Sequence, residues 1–425
     1  MHALNDPSSD PLLDAGTKGI PHRAGPLRLS QIAGRGWNVL RGDCPLPLAV
    51  LREDALSANS AWMMAFARSH RLLLAPHGKT TMAPALFQRQ IGDGAWAITV
   101  ATSQQLQVAL TAGVRRIIFA NQPLGQAVDA CFQALLQHPG LELYVLADSL
   151  EGVALLAARA GGAPAHAAPL RVLVEIGMRG ARTGCRDIAS ATDVARAIAV
   201  APGLRLAGVE AFEGVLADTS AVAELIGRVD ATARAIDALG LFNSEVVLSA
   251  GGSAFFDLVA QGLERLQLSR PLLRVLRSGC YLTHDHFGYA CDLQRVLHER
   301  RIELPDGGLR PALELWTYVQ SRPDPDKLLL TMGKRDVGYD MALPQPIAWF
   351  RPGVMRQPAV MPAGCALVRL NDQHAHLSIP PESTFAVGDM IGIGIAHPCT
   401  TFERWQVLML IDERMNVVGA IRTCF

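Results

Sequence analysis

The 425-residue sequence lacks an excess of either charge: 39 Lys and Arg balance 39 Asp and Glu, so a polyanion-binding surface is not expected and nucleic acid is excluded as a partner. It lacks any apolar run of 18 or more residues, which excludes a membrane-spanning helix. Its eight cysteines include no C-x-x-C pair, which argues against a zinc ribbon and a disulfide scaffold and for a reducing compartment. The first 25 residues hold Asp6, Asp10, Asp14 and three prolines without an apolar stretch, so no secretory signal is read and a cytoplasmic location is expected. No repeat of 20–50 residues stands out, and low complexity is confined to an Ala/Gly/Pro-rich stretch near 161–169.

What is present is alternation. From Leu72 onward short β-rich runs alternate with longer amphipathic or Ala-rich ones, the pattern of βα units around a parallel sheet. Eight strands are read, near 72–75, 96–100, 117–120, 142–146, 171–176, 205–210, 245–249 and 273–276. Between the second and third, Ser103 is placed to cap a helix that Gly113 ends. Eight units predict an α/β fold, a (β/α)8 TIM-type barrel. After about residue 290 the runs become strand-like without helical periodicity, at 313–320, 327–332, 366–370, 390–395, 407–411 and 417–422. The expected organisation is therefore an N-terminal tail over 1–40, a barrel over 41–290 and a mainly β C-terminal domain over 291–425. The extended run 47–51 and the helix that follows fit either domain.

Barrel chemistry sits where strands end. The first strand ends in Pro76-His77-Gly78-Lys79-Thr80-Thr81, where a desolvated Lys79 would form a Schiff base with an aldehyde cofactor or a carbonyl substrate. Gly78-Lys79-Thr80 is not a P-loop, because the glycine required five residues earlier is Leu73 and Pro76 removes a backbone donor. Strands seven and eight end in Ser249-Ala250-Gly251-Gly252-Ser253 and Arg277-Ser278-Gly279-Cys280-Tyr281, glycine-bearing loops at the usual phosphate position of a barrel. Lysine and loops together point to pyridoxal phosphate. The fifth strand carries Arg179 and Arg182 to the same rim, Arg182 as a partner for a phenolic or carboxylate oxygen and Arg179 as a solvated charge. Near the C-terminus His397 and Cys399 are spaced as i and i+2 of an extended segment, able to share a cation such as Zn2+. His284-Asp285-His286 has the same spacing and is read as a loop; His374 and His376 alternate at a strand edge. Each reading has a plain structural counterpart: a surface lysine, tight turns, a core histidine and a buried cysteine.

Taken together, Pro76-His77-Gly78-Lys79-Thr80, Ala97-Ile98-Thr99-Val100-Ala101-Thr102, Ser249-Ala250-Gly251-Gly252-Ser253, Arg277-Ser278-Gly279-Cys280-Tyr281 and His397-Pro398-Cys399-Thr400 resemble the D-serine dehydratase and D-threonine aldolase-like enzymes. These are fold-type III pyridoxal-phosphate proteins related to alanine racemase, and the likeness runs from about Pro47 to the end. It implies a homodimer and Lys79 as cofactor lysine; with that, His77, Arg182, Gly251, Gly252, Ser253, Gly279, Cys280 and Tyr281 are expected around the cofactor from their places at the strand exits. It implies His397 and Cys399 as ligands of a divalent metal, zinc in dehydratases and manganese-like ions in aldolases. Many relatives read Lys-Thr-His-Lys where this chain has Lys79-Thr80-Thr81-Met82, and Glu-His where it has Gln373-His374. The implied reaction is metal-assisted dehydration of a β-hydroxy D-amino acid, D-serine first, with Lys79 as the Cα base. The alternative is retro-aldol cleavage with His374 as a base at the hydroxyl; a racemase and a non-catalytic cofactor carrier rank behind both. Glu213, at the exit of strand six, is a positional candidate to face the pyridine nitrogen.

Overall fold

The computed structural model describes residues 10–162 and 168–425, so most of the stretch near 161–169 lies outside the described residues. Eight parallel strands, Leu73–Leu74, Ile98–Val100, Arg116–Phe119, Glu142–Ala147, Leu170–Ile176, Leu204–Ala211, Val246–Ala250 and Leu272–Leu276, pair in chain order, and the eighth returns to the first. A bridge between His77 and Thr99 joins the first strand to the second and closes the ring. The first strand is short, but Ala75 N and His77 N continue to donate to Leu276 O and Arg277 O, so its backbone stays registered up to the rim.

Inside the ring Ala75, Ala97, Ile118, Leu173, Val247 and Val275 form a separate apolar cluster. Its N-terminal mouth is plugged by polar-edged aromatics. Trp96 and Tyr144 pack with ring centroids 5.6 Å apart, Arg116 and Arg171 lie over them, and Glu142 pairs with both arginines. The opposite mouth, at the strand C-termini, is the one left for a ligand. The intervening helices follow the expected order, with one shift of detail. Thr102, not Ser103, caps the helix Ser103–Thr111 by accepting from Gln105 N, and Gly113 takes the left-handed conformation beyond its end.

The C-terminal half is an antiparallel sheet built on Leu313–Asp324, which pairs with Met390–Gly394 and with Lys327–Leu330. Leu48–Arg52 inserts here rather than into the barrel, antiparallel to Leu313–Asp324 and parallel to Val407–Ile411. Three strands escaped the sequence reading: Gln345–Phe350, Ala359–Val360 and Ala375–Ser378. Pro346 breaks the pattern of the first and coincides with an irregularity in its register, and the other two are short.

Residues 10–41, expected as a tail, are packed structure. Ile20, Leu27, Ile32 and Val39 are buried against Trp316, Met409 and Val417. Lys18 reaches Asp336 at 2.6 Å and lies 4.1 Å from the Trp405 ring centre. The apolar residues of this segment are too widely spaced to register as a helix or strand, which is why the sequence hid their burial. The helix Gly288–Glu299 runs through the boundary expected at 290 and buries Leu293 and Val296 in the barrel's outer core.

One buried amide ties these parts together. Asn59, fully buried on the helix Glu53–Ser69, donates to Leu282 O and Arg310 O and accepts from Arg310 N. Asn59→Ala is expected to leave these groups unsatisfied and lower stability by about 2–3 kcal/mol in urea unfolding; an unchanged midpoint would refute this bracing role.

Candidate active site

A cavity of about 430 Å³ opens at the C-terminal mouth, a size suited to a small ligand with a cofactor. Its walls come from the exits of the barrel strands and, on one side, from the C-terminal domain. His77, Lys79 and Thr80 follow the first strand in a single 3-10 turn. Gly78 is required there, since a Cβ would stand 2.7 Å from the Phe87 ring. Lys79 is one of only four lysines in the chain and the one that lines the cavity, a scarcity that could have singled it out. Its side chain stays exposed to the cavity, so the expected desolvation is not found. His77 is held well below its usual range by burial and by the charges of Lys79, Arg277 and Arg182, and is neutral.

The two glycine loops meet opposite the lysine. At Gly279 a Cβ would lie 2.5 Å from His77 O, so only glycine permits this close approach of the first and eighth exits. Gly251 has φ +102° and a Cβ there would meet Leu276 at 2.2 Å. Both Gly251 N and Gly252 N donate to the Glu213 carboxylate, at 3.0 and 2.6 Å. Glu213 is thus fully buried behind the loop and does not line the cavity, which removes its place facing a pyridine nitrogen. Ser253 accepts from Cys280 N and, with Gly279 and Cys280, faces the cavity. Tyr281 does not line it: next in the chain to Cys280, it turns away, and its buried hydroxyl takes a hydrogen bond from Gln90.

Arg182 lines the cavity with its guanidinium 4.7 Å from the Phe212 ring centre, and Arg179 is exposed beyond it. The cation in the floor is Arg277, which the sequence reading quoted only as part of a motif. It is 5% exposed, pairs with Glu210 at 2.6 Å and donates to Ala211 O, while its buried Nη1 has no partner. Burial pushes the Glu210 carboxyl up to about 8 against the pull of Arg277, with Glu175 adding repulsion. Glu175 accepts from Thr183 and Gln122 and is likewise raised, chiefly by burial. Tyr289 was also missed; Asp285 sets it in place by accepting from Phe287 N, Tyr289 N and Ala290 N at the start of its helix. That is the loop role expected of the segment 284–286.

From the C-terminal domain His397 and Cys399 both line the cavity, though not as alternate residues of a strand. His397 is extended and Pro398 begins the short helix Pro398–Phe402, so Cys399 lies in its first turn. His397 Nδ1 is 2.6 Å from Asp340 Oδ2, and Thr400 holds the other Asp340 oxygen. Cys399 Sγ is 3.4 Å from Thr80 Oγ1 and 3.9 Å from Cys280 Sγ. The Cys280 thiol is drawn below its ordinary value, first by the hydrogen bond from Cys399. Among the described residues no group of three or more His, Cys, Asp and Glu is gathered to hold a metal ion. His374 is not brought to the site. It ends the exposed turn between Ala366–Leu370 and Ala375–Ser378, where its carbonyl accepts from Asn371 N.

Residues 312–411 match the family model described as "Putative serine dehydratase domain". That match spans under a quarter of the chain and likens its C-terminal domain to this family. The chain is 23% identical over 376 residues to the D-threonine aldolase of Arthrobacter sp, covering 86% of this chain and 89% of that one. Its fold is similar to the crystal structure of D-threonine aldolase from Filomicrobium marinum, with a TM-score of 0.73 at 22% identity over 91% of this chain and 97% of the other. It is also similar to D-threo-3-hydroxyaspartate dehydratase from Delftia sp. HT23, TM-score 0.68 at 22% identity, covering 91% and 99%. At these identities the structural likeness is one of fold. No helix among the described residues is long and apolar enough to cross a membrane.

The buried Arg277–Glu210 pair gives the cavity floor a measurable property. Arg277→Met strands Glu210 and is expected to lower stability by about 3–5 kcal/mol near pH 8. Because the folded-state pKa of Glu210 is raised, its neutral form favours the fold below the ordinary carboxyl range, and that advantage is lost as pH rises through about 8. Urea unfolding should therefore show a smaller loss at pH 5 than at pH 8; a pH-independent loss would contradict the assignment.

Proposed function

We propose that the protein is a pyridoxal-phosphate-dependent lyase acting on β-hydroxy D-amino acids, and within that class a D-serine dehydratase yielding pyruvate and ammonia. The observation that carries this reading is that Lys79, Arg277, the Gly279 approach, His397 and Cys399 line one cavity. The curated relative cleaves a β-hydroxy D-amino acid by name, and the matched family model and the Delftia structure are named for dehydration.

The cavity suits the cofactor on three counts: its size, the unpartnered buried Nη1 of Arg277, and glycine-lined exits where side chains would obstruct. When bound, pyridoxal phosphate supplies an electron sink that eases bond breaking at Cα. Lys79 would carry it and serve as the base that takes the Cα proton. The Ser253 hydroxyl and the loop at Gly279 would face the phosphate, and Arg182 an anionic oxygen. A divalent metal, zinc by preference, would be held by His397 and Cys399 with non-protein positions open, supplying Lewis acidity at the β-hydroxyl. Asp340 orients the imidazole for that task, as carboxylates do behind metal-binding histidines. A retro-aldol reaction is the second reading, favoured by the name of the curated relative. A homodimer belongs to the proposal as well.

The deciding experiment incubates the purified protein with D-threonine, pyridoxal phosphate and zinc. 2-Oxobutanoate and ammonia, lost on chelation, are expected; glycine and acetaldehyde would make it an aldolase, and no product would reject the lyase. Lys79→Ala is expected to lose the bound-cofactor absorbance and to reduce turnover by at least ~10²-fold. His397→Ala or Cys399→Ala should keep the absorbance and lose turnover. Asp340→Ala is expected to weaken zinc affinity about 10–100-fold by equilibrium dialysis; unchanged affinity would remove Asp340 from the site.

A further inference from the structure

Cys280 and Cys399 come from opposite sides of the cavity. Cys280 follows the last barrel strand, Cys399 opens the short helix of the C-terminal domain, and their sulfurs are 3.9 Å apart. Both touch the same hydroxyl, Thr80 Oγ1, at 3.5 and 3.4 Å, so the two side chains are aimed at one point and not merely near each other. They are the one cysteine pair in contact among the described residues; Cys185 donates instead to Asp148 O, and Cys291 is exposed on its helix. Both line the cavity, so a small solute entering it meets the sulfurs.

A disulfide needs sulfurs about 2.05 Å apart. At 3.9 Å the sulfurs are in van der Waals contact, roughly 1.9 Å short of a bond, and a thiol pair held this closely is poised for oxidation. We propose that Cys280 and Cys399 form a reversible disulfide that latches the barrel to the C-terminal domain across the cavity. With a peroxide as oxidant the step balances: two S–H bonds and the O–O bond break, one S–S bond forms, and two molecules of water leave. A dithiol reverses it. Closing the bond ties up the Cys399 sulfur, so the oxidised protein loses a thiolate donor at the cavity and gains a covalent link between residues 119 positions apart in the chain.

The inference stands on thiol geometry and does not need the lyase reading. The full-length protein as purified is treated with a small excess of hydrogen peroxide, the remaining thiols are alkylated, and the products are read by intact mass and peptide mapping. The expected result is a loss of two hydrogens per chain, a linked peptide joining Cys280 to Cys399, a higher thermal midpoint, and recovery of both thiols with dithiothreitol. Cys280→Ser and Cys399→Ser should each abolish the linked peptide. Both thiols still alkylatable while Cys291 is oxidised, or a link found only between two chains, would overturn the latch. A test of turnover is separate: a linked protein without lyase activity before oxidation counts against the function proposed above and leaves the latch supported.

Discussion

The strand Leu48–Arg52 is hydrogen-bonded on both edges into the C-terminal sheet before the chain enters the barrel. That early commitment makes the two halves one body. The chain leaves the sheet, completes eight βα units and returns to the same sheet at Leu313, so the sheet is anchored to the barrel at both ends of the barrel's sequence. Asn59 and Arg310 join the two passages directly. The segment carrying His397 and Cys399 can therefore be held over the barrel mouth to within a hydrogen bond of Thr80, more than 300 residues away in sequence. The aromatic and arginine plug closes the opposite mouth of the barrel, so the cavity opens at one end only.

The floor of the cavity concentrates charge that water does not screen. Arg277 is surrounded by Glu210, Glu175 and Glu213, of which Glu210 makes the close pair. Three buried carboxyls around one guanidinium cannot all be ionised without repulsion, and burial raises each of them. Glu213 is relieved by two backbone N–H donors and Glu175 by a hydroxyl and an amide, which leaves Glu210 with Arg277. The glycine loop after the seventh strand is consequently held by an internal anion, and what remains for an external one is the eighth exit, with Gly279, Cys280 and the Ser253 hydroxyl.

Much of this was legible because it rests on local periodicity. The barrel strands 142–146, 171–176 and 205–210 are short, largely apolar runs between amphipathic helices, and they fall within a residue or two of their observed ends. Lys79, Gly279, His397 and Cys399 were legible by position, at strand exits. What failed depended on side-chain direction or on distant packing. Tyr281 is adjacent to a cavity residue, but the chain turns there, with His284 N donating to Cys280 O, and the turn carries the ring toward Gln90. His374 alternates with His376, but the hairpin turn that contains it lies at the exposed end of two strands. Arg277 stood in a motif without a role of its own and Tyr289 in none: one needed Glu210 brought from another strand, the other a helix start set by Asp285. Ile20 and Ile32 were hidden because burial against a sheet from another part of the chain leaves no period in the sequence.

The placement of the proton-accepting groups bears on the choice between the two lyase reactions. Dehydration asks for a base at Cα, and retro-aldol cleavage asks for one at the β-hydroxyl. Lys79 is exposed to the cavity from the barrel side and fits the first demand. His374, the histidine read as the hydroxyl base, stands outside the cavity, while His397 has one ring nitrogen engaged by Asp340. His77 is neutral but tied by position to the turn that presents Lys79, its Nδ1 accepting from Lys79 N. The wall facing a bound hydroxyl is thus better furnished with donors to a Lewis acid, one imidazole and one thiol, than with a free base. A Lewis acid held there would serve either demand, easing the departure of hydroxide or lowering the pKa of the hydroxyl so that a weak base suffices, which is why one constellation is compatible with both reactions.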